Sequence, residues 1–223
     1  MVSRKEGILL DRPFISLPGT ILFGREQDRR AFLRLAALVG VGAATALAPI
    51  GTTHAASPSP TPLQFGTGDP GILRYALALE YLQAEFYARG VQSGTLGTVA
   101  PIVTPIAQHE AAHVNLITDT LSKIGEQALP KPTFKFTNGT FSDSTNFLKS
   151  AAIFEDAGVK AYQGQVTNVK DKSLLAAAAA IAGTESRHAA VIGYLISKQT
   201  LPGATEPQGT MAEIMAIVRP YLG

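Results

Sequence analysis

Two patterns of glutamate, tyrosine and histidine with the same internal spacing, placed 75 residues apart, constrain the fold of this chain more than any other feature. Each pattern has a glutamate, a tyrosine seven residues later and then a Glu-x-x-His motif: Glu80, Tyr87, Glu110 and His113 in the first, and Glu155, Tyr162, Glu185 and His188 in the second. Residues three positions apart lie on one face of an α-helix, so the Glu and the His of each motif can reach the same cation. The sequence therefore predicts the same pair of helices twice, related by an approximate two-fold axis.

Apolar periodicity places these residues on four long helices and predicts an all-α fold. The predicted helices cover residues 69–90, 101 or 104 to 125, 142 or 143 to 168, and 171–199, and a short fifth helix covers 210–219. Asp69-Pro70 and Thr104-Pro105 are typical helix starts, because a capping side chain precedes a proline that has no N–H to lose. Residues 126–142 are the one long crossover of a four-helix bundle, since the other connections are shorter.

Each of the four long helices carries a glutamate on an otherwise apolar stripe. Burying four unpaired carboxylates would cost several kcal/mol each unless cations or protons compensate. Two divalent ions carry four positive charges, and neutral imidazoles complete the set of ligands. Carboxylate and imidazole ligands together suit iron or manganese, so we expect two Fe or two Mn ions. The predicted ligands are Glu80, Glu110, His113, Glu155, Glu185 and His188.

Three other side chains on these helices need an assignment. Glu85 competes with Glu80 as the ligand of the first helix, but it lies about 140° away on the helical wheel. Its counterpart 75 residues later is Lys160, which breaks the repeat, so the prediction keeps Glu80. Tyr87 and Tyr162 have two interpretations, either as hydrogen-bond donors to ligand carboxylates or as core residues only, and both stay open at this point.

Three segments resemble the ferritin-like domain family that includes desiccation-related proteins. They are residues 79–87 (LEYLQAEFY), 109–113 (HEAAH) and 154–162 (FEDAGVKAY), within a similarity that covers about residues 69–199. The resemblance implies a di-iron or di-manganese centre that handles O₂, peroxide or Fe(II), in a stress-protective role. A protein of this kind that turns over would be a di-metal oxidoreductase of the ferroxidase, peroxidase or catalase-like class.

Two other functions remain as alternatives. The segment from His109 to His113 is also H-E-x-x-H, the zinc motif of metallopeptidases, in which two histidines bind zinc and the glutamate acts as general base. The counterpart of His109 in the repeat is Thr184, so the repeat keeps Glu-x-x-His but not the zinc pair. The third interpretation is a non-catalytic stress or interaction protein with a vestigial site.

The N-terminal region resembles a twin-arginine export signal. Asp28-Arg29-Arg30 precedes an apolar stretch over residues 35–50, which is followed by small residues up to Ala56. We therefore expect a signal over residues 1–55, a Pro/Ser/Thr linker over 56–68 and one domain over 69–223, exported to the periplasm or the extracytoplasmic surface. An uncleaved membrane anchor is the alternative for the apolar stretch.

Composition excludes several other classes of protein. The chain has no cysteine, so disulfides, thiolate metal sites and catalytic thiols are ruled out. Lys+Arg number 19 and Asp+Glu 17, of which 7 and 4 precede Ala56, which leaves 12 − 13 = −1 beyond it. A domain of this charge, without a basic patch, predicts no nucleic-acid partner. The expected partners are metal ions and O₂ or peroxide, and homo-oligomerisation is left open.

Overall fold

The computed structural model describes residues 65–198 and 203–223, and over these ranges it is an all-α protein. The helices are α1 (Gly68–Ser93), α2 (Ala100–Lys123), α3 (Ser144–Gln165), α4 (Lys172–Ser197) and α5 (Met211–Val218), with 3₁₀ turns at Gly97–Val99 and Arg219–Tyr221. The predicted all-α bundle is confirmed. The predicted export signal, most of the predicted linker and the last predicted residue of the fourth helix lie outside the described residues.

The long helices pack as two consecutive pairs, α1 with α2 and α3 with α4, and α1 also packs against α3. Connections of six residues, 94–99 and 166–171, join the helices of each pair, so the partners run antiparallel. The crossover between the pairs covers residues 124–143, as the sequence predicts. This arrangement turns one face of each long helix towards the interior of the bundle.

Two of the predicted helix caps are present. The carboxylate of Asp143 accepts a hydrogen bond from the backbone N–H of Asn146 at 2.8 Å. The carboxylate of Asp171 accepts from the N–H groups of Ser173 at 2.8 Å and Leu174 at 3.0 Å. These side chains satisfy N–H groups that have no partner within the helix, which sets where α3 and α4 begin.

The predicted starts at residues 69 and 101 agree with the structure to within one residue, but the predicted N-cap roles of Asp69 and Thr104 are wrong. Thr67 occupies the N-cap position of α1 without a side-chain cap, and Asp69 lies in the first turn. The Asp69 carboxylate instead accepts from the backbone N–H groups of Lys170 at 2.9 Å and Asp171 at 2.8 Å. Helix α2 already begins at Ala100, so the Thr104 hydroxyl lies within it and donates to the Ala100 carbonyl at 2.9 Å.

The crossover is held against the C-terminal residues of the chain. Phe134 is buried and forms an isolated antiparallel bridge with Leu222. The Lys135 N–H donates to the Tyr221 carbonyl at 2.9 Å, and the Gly223 N–H donates to the Thr133 carbonyl at the same distance. These bonds give the extended backbone of the crossover the partners that a helix would otherwise provide.

The core forms two clusters along the bundle. One is rich in aromatic side chains, including Phe86 and Phe147, whose rings stack with centroids 4.6 Å apart. The other is aliphatic and contains Leu77, Ile117 and Ile181. On α2 and α4 the predicted ligands lie at chain positions between the two clusters. Among the helices of the described residues, none is long and apolar enough to span a membrane.

Candidate metal centre

The structure brings all six predicted ligand residues together inside the bundle. Each is buried, and the side chains of Glu110, Glu155 and Glu185 have no exposed surface. Ligand atoms that lie within 4.8 Å of one another form two groups of four, which we call the His113 half-site (Glu80, Glu110, His113, Glu185) and the His188 half-site (Glu110, Glu155, Glu185, His188). Glu110 and Glu185 belong to both half-sites. All four long helices therefore contribute to one centre.

In the His113 half-site the imidazole faces three carboxylates. Nδ1 of His113 lies 3.2 Å from Glu80 Oε2 and 3.3 Å from Glu185 Oε1. Its distance to Glu110 Oε2, three residues earlier on α2, is 3.6 Å. The contact with Glu80 has the geometry of a hydrogen bond, so this half-site is partly satisfied by its own residues.

In the His188 half-site the facing atoms lack hydrogen bonds. Nδ1 of His188 lies 2.9 Å from Glu110 Oε1 and 3.6 Å from Glu155 Oε2. Four buried ligand atoms nevertheless have no hydrogen-bond partner: Glu110 Oε1, Glu155 Oε2, Glu185 Oε1 and His188 Nδ1. A buried polar atom without a partner is costly, at roughly 1–3 kcal/mol. Carboxylate oxygens and an imidazole nitrogen that converge in this way are suitable donors for a divalent cation.

Two tyrosines connect α1 with α3 through hydrogen bonds to glutamates of the centre. The Tyr87 hydroxyl on α1 donates to Glu155 Oε1 on α3, and the Tyr162 hydroxyl on α3 donates to Glu80 Oε1 on α1. Burial, followed by the charge of the bonded carboxylate, raises the pKa of each tyrosine well above its usual value. Both phenols therefore stay protonated. Each orients one oxygen of a glutamate that belongs to one half-site only, Glu155 or Glu80, which we call the non-shared glutamates.

Protonation of the carboxylates reflects how crowded they are. Burial, with the charge of Glu110, raises the pKa of Glu155 to about 7. Burial and the neighbouring carboxylates likewise raise the pKa of Glu110 and of Glu185. For Glu80, burial raises the pKa, but the charge and hydrogen bonds of His113 and its other partners outweigh it and lower the pKa overall. The centre thus holds more negative charge than its own groups neutralise.

The pKa values of the two histidines are also raised, so both imidazoles favour the charged form. Burial lowers the pKa of His188, but its contacts with Glu110 and Glu155 outweigh burial and raise it to about 10. His113 follows the same pattern, since burial lowers its pKa and the charge of Glu80, with the hydrogen bonds of its carboxylate neighbours, raises it far above the usual value. Without a metal, two imidazolium ions face the Glu80 carboxylate and three glutamates with raised pKa values, and added cations would displace the protons of the centre.

Gln83 is a site residue that the sequence analysis did not identify. Its side chain is buried, and Nε2 donates to Glu185 Oε2 at 3.1 Å and to Glu110 Oε2 at 3.3 Å. The available signal was its position, three residues after Glu80 and on the same face of α1. Its counterpart in the repeat is Gly158, so the repeat offered no matching residue.

His109 also contacts the centre, although the sequence predicts no role for it in a di-metal site. Its Nδ1 lies 2.9 Å from His188 Nε2, and the two rings stack with centroids 5.2 Å apart. The side chain is solvent-exposed and belongs to neither half-site. His109 thus contacts the outer nitrogen of His188, the one opposite the carboxylates.

The assignment of Glu80 over Glu85 is consistent with the positions of the two side chains. Glu85 accepts hydrogen bonds from Arg89 at 2.8 Å and from Lys131 at 2.6 Å, away from the six grouped residues. The side-chain contacts with these two cations lower the pKa of Glu85 despite its partial burial, so it is an ion-paired carboxylate near the surface.

Comparison with known proteins adds one finding. A family model described as a ferritin-like domain matches residues 68–198, more than half of the chain. This range contains α1 to α4 and every residue of the centre. No curated protein matches the sequence.

Proposed function

We propose, since the chain belongs to the ferritin-like domain family, that it is a di-metal carboxylate protein which cycles two iron or two manganese ions against O₂, peroxide or Fe(II) in stress protection. The proposed ligands are the six residues of the two half-sites. Glu110 and Glu185 contribute to both half-sites and are the candidates to bridge two ions. Glu80 with His113, and Glu155 with His188, would then each serve one ion.

The observation that carries this proposal is the set of four buried ligand atoms without hydrogen bonds in the His188 half-site. The bundle forms a packed core around them, so no water-exposed surface is available to solvate their charge. Two divalent cations would balance four carboxylates and satisfy these atoms at the same time. The donor set, oxygen and imidazole without sulfur, fits iron or manganese.

Residues of the chain have distinct roles in the proposed chemistry. When bound, a pair of iron or manganese ions would supply electron exchange with O₂, peroxide or Fe(II). Tyr87 and Tyr162 hold Oε1 of Glu155 and of Glu80, so that Oε2 of each glutamate faces the histidine of its half-site, where a metal would bind. His188 has its Nε2 held by His109, which leaves Nδ1 facing the carboxylates. Buried aromatic and aliphatic side chains on both sides exclude bulk water.

Zinc peptidase chemistry finds no support in this arrangement. A zinc site of the H-E-x-x-H kind needs His109 and His113 on one ion, with Glu110 free to act on water. His113 lies in one half-site, His109 contacts His188 instead, and Glu110 is shared by both groups. A zincin would also leave Glu155 and Glu185 buried without a role.

Metal analysis of protein produced in its own host tests the proposal. We expect close to two iron or manganese ions per chain, and oxidation of Fe(II) or consumption of peroxide by the loaded protein. Glu85→Ala is the matched control, because it removes a glutamate of α1 that lies outside the centre, and it should keep both ions. One tight zinc ion together with peptide cleavage would establish the peptidase instead. Protein without metal and with undiminished stability would establish a vestigial site.

Export by the twin-arginine route is proposed on the sequence Arg29-Arg30 ahead of the apolar stretch. This route carries folded proteins, which suits a domain that acquires its metal inside the cell. Changing both arginines to lysine should retain the precursor in the cytoplasm, as measured by cell fractionation. Normal delivery of that variant would refute the assignment.

A further inference from the structure

We infer that Gln83 is a positioning residue that ties Glu110 and Glu185 together across the two halves of the centre, and that Gly158 is required because it makes room for this amide. The inference rests on the proposed function, because the two carboxylates are the ones shared by both proposed metal sites. It assigns roles to two residues that are not ligands themselves. Because only one of the two equivalent repeat positions carries an amide, the two halves of the centre differ.

The Gln83 amide contacts both shared carboxylates. One Nε2 donates to a carboxylate on α2 and to a carboxylate on α4, at 3.3 and 3.1 Å. Helices α2 and α4 come from different halves of the repeat, so this one amide joins the halves directly. Since the amide is neutral, it orients the carboxylates without changing the balance of four negative charges against two divalent ions.

Gly158 on α3 has no space beside it for a side chain. A Cβ built at this glycine would lie 2.3 Å from Glu185 Oε2 and 3.0 Å from Gln83 Oε1. The first distance is far below van der Waals contact and the second is a few tenths of an ångström too short, so any side chain at residue 158 must displace the carboxylate and shift the amide. Glycine inside a helix costs about 1 kcal/mol relative to alanine. The close approach supplies the reason for accepting that cost.

The repeat relates these two residues to each other. Gln83 and Gly158 occupy equivalent positions, three residues after Glu80 and after Glu155, and 83 + 75 = 158. The approximate two-fold axis also exchanges Glu110 with Glu185. An amide placed at residue 158, with a glycine at residue 83, would therefore approach the same two carboxylates from the opposite side. The centre has no room for amides on both helices, and an amide on α3 would also require Glu185 Oε2 to move.

The experiment compares three variants with the parent in Co(II) titrations of the metal-free protein, followed by visible absorption. Gln83→Met keeps the size of the side chain and removes the donor, and we expect about 10- to 100-fold weaker Co(II) binding. Gly158→Gln should weaken binding at least as much, because it collides with Glu185 and Gln83. The double variant Gln83→Gly/Gly158→Gln should recover part of the affinity lost in Gly158→Gln, because it removes the collision with Gln83 and leaves only the one with Glu185. Gln92→Met, at an exposed position of the same helix, is the control that should change nothing.

Two results would overturn the inference: parent-like Co(II) affinity of Gln83→Met, or a double variant no better than its worse single variant. Far-UV circular dichroism checks the fold, and if Gly158→Gln does not fold, Gln83→Met still decides. A parent protein that binds no metal would refute the proposed function instead. Thermal unfolding of the metal-free variants would then test Gln83, with Gln83→Met lowering Tm by roughly 5 °C and the double variant more stable than Gly158→Gln. No change in Tm would overturn the inference in that case too.

Discussion

The His113 and His188 half-sites each contain three glutamates and one histidine, yet the structure packs them differently. In the His113 half-site, the imidazole has a hydrogen bond to Glu80 at 3.2 Å. In the His188 half-site, Nδ1 of His188 lies 2.9 Å from Glu110 Oε1 and 3.6 Å from Glu155 Oε2, but none of these atoms makes a hydrogen bond. A cation entering the first half-site must replace a hydrogen bond, whereas a cation entering the second replaces only ion-pair contacts. We therefore expect the first ion to bind at the His188 half-site.

The outer sides of the two imidazoles differ as well. His188 has the His109 ring against its Nε2 at 2.9 Å. The counterpart of His109 is Thr184, whose hydroxyl donates to the Ala180 carbonyl and accepts from Arg187, both on α4. A partner behind a metal-binding imidazole fixes its ring orientation and tautomer. This difference again favours the His188 half-site, so a repeat in sequence does not give two equal sites.

Removing the glutamate that is specific to each half-site should have the largest effect. Glu155→Ala deletes a ligand of the His188 half-site and should lose the tighter ion and the activity, with an affinity loss beyond the roughly 100-fold expected for an outer contact. Glu80→Ala should keep one tightly bound ion per chain, because the His188 half-site stays complete. Elemental analysis after dialysis measures both. If Glu155→Ala kept the tighter ion, the order of the two half-sites would be reversed.

The pH dependence of stability should be the next largest effect. Because the pKa of Glu155 is raised in the folded state to about 7, folding is favoured at low pH and this contribution is lost as the pH rises through 7. The pKa of His188 is also raised in the folded state, so its contribution to stability is likewise lost as the pH rises. The metal-free protein should therefore lose stability between pH 5 and 8, by roughly 3 kcal/mol from Glu155 alone. Metal affinity should rise over the same range, since the ligands must release protons.

Chemical denaturation of the metal-free protein at several pH values measures this dependence. In Glu155→Gln the decrease should become smaller, because the variant removes one titrating group and part of the charge that holds the proton on His188. An unchanged pH dependence in that variant would mean that the carboxylate does not hold a proton in the folded state.

The smallest effect is expected at His109. His109→Ala should keep both ions and activity, with at most about a tenfold loss of affinity, because the side chain contacts a ligand and is not one itself. Thr184→Ala is the matched change in the other half and should leave metal binding unaltered. Loss of all metal from His109→Ala, with full retention in Glu155→Ala, would instead favour the zinc peptidase.

Sequence periodicity was sufficient to predict the bundle, its long crossover and the convergence of the six grouped residues. Those features depend on which face of a helix a residue occupies, and a wheel gives that directly. The experiments above test whether the six residues bind metal in the way we propose. Tyrosine at seven residues after each non-shared glutamate was also visible, although only the structure shows which carboxylate each hydroxyl reaches.

Other features depend on contacts between distant segments, which one helix cannot reveal. Asp69 has the sequence signature of a cap for α1, but its carboxylate is taken by backbone donors at residues 170 and 171. Gln83 and His109 were missed because a wheel gives the direction of a side chain and not its reach across the bundle. The asymmetry of the half-sites was missed because the repeated ligands are identical in type.

The pairing of Gln83 with Gly158 also bears on how such a bundle can be encoded. A bundle assembled from two identical chains, each supplying one helix pair, would have the same residue at both positions. Two glutamines would collide where a single added carbon already lies 2.3 Å from a carboxylate oxygen, and two glycines would leave the shared carboxylates without their amide. Joining both pairs in one polypeptide removes that constraint, because each copy can change independently of the other. Covalent linkage of the halves is what permits this centre to have one amide and two unequal half-sites.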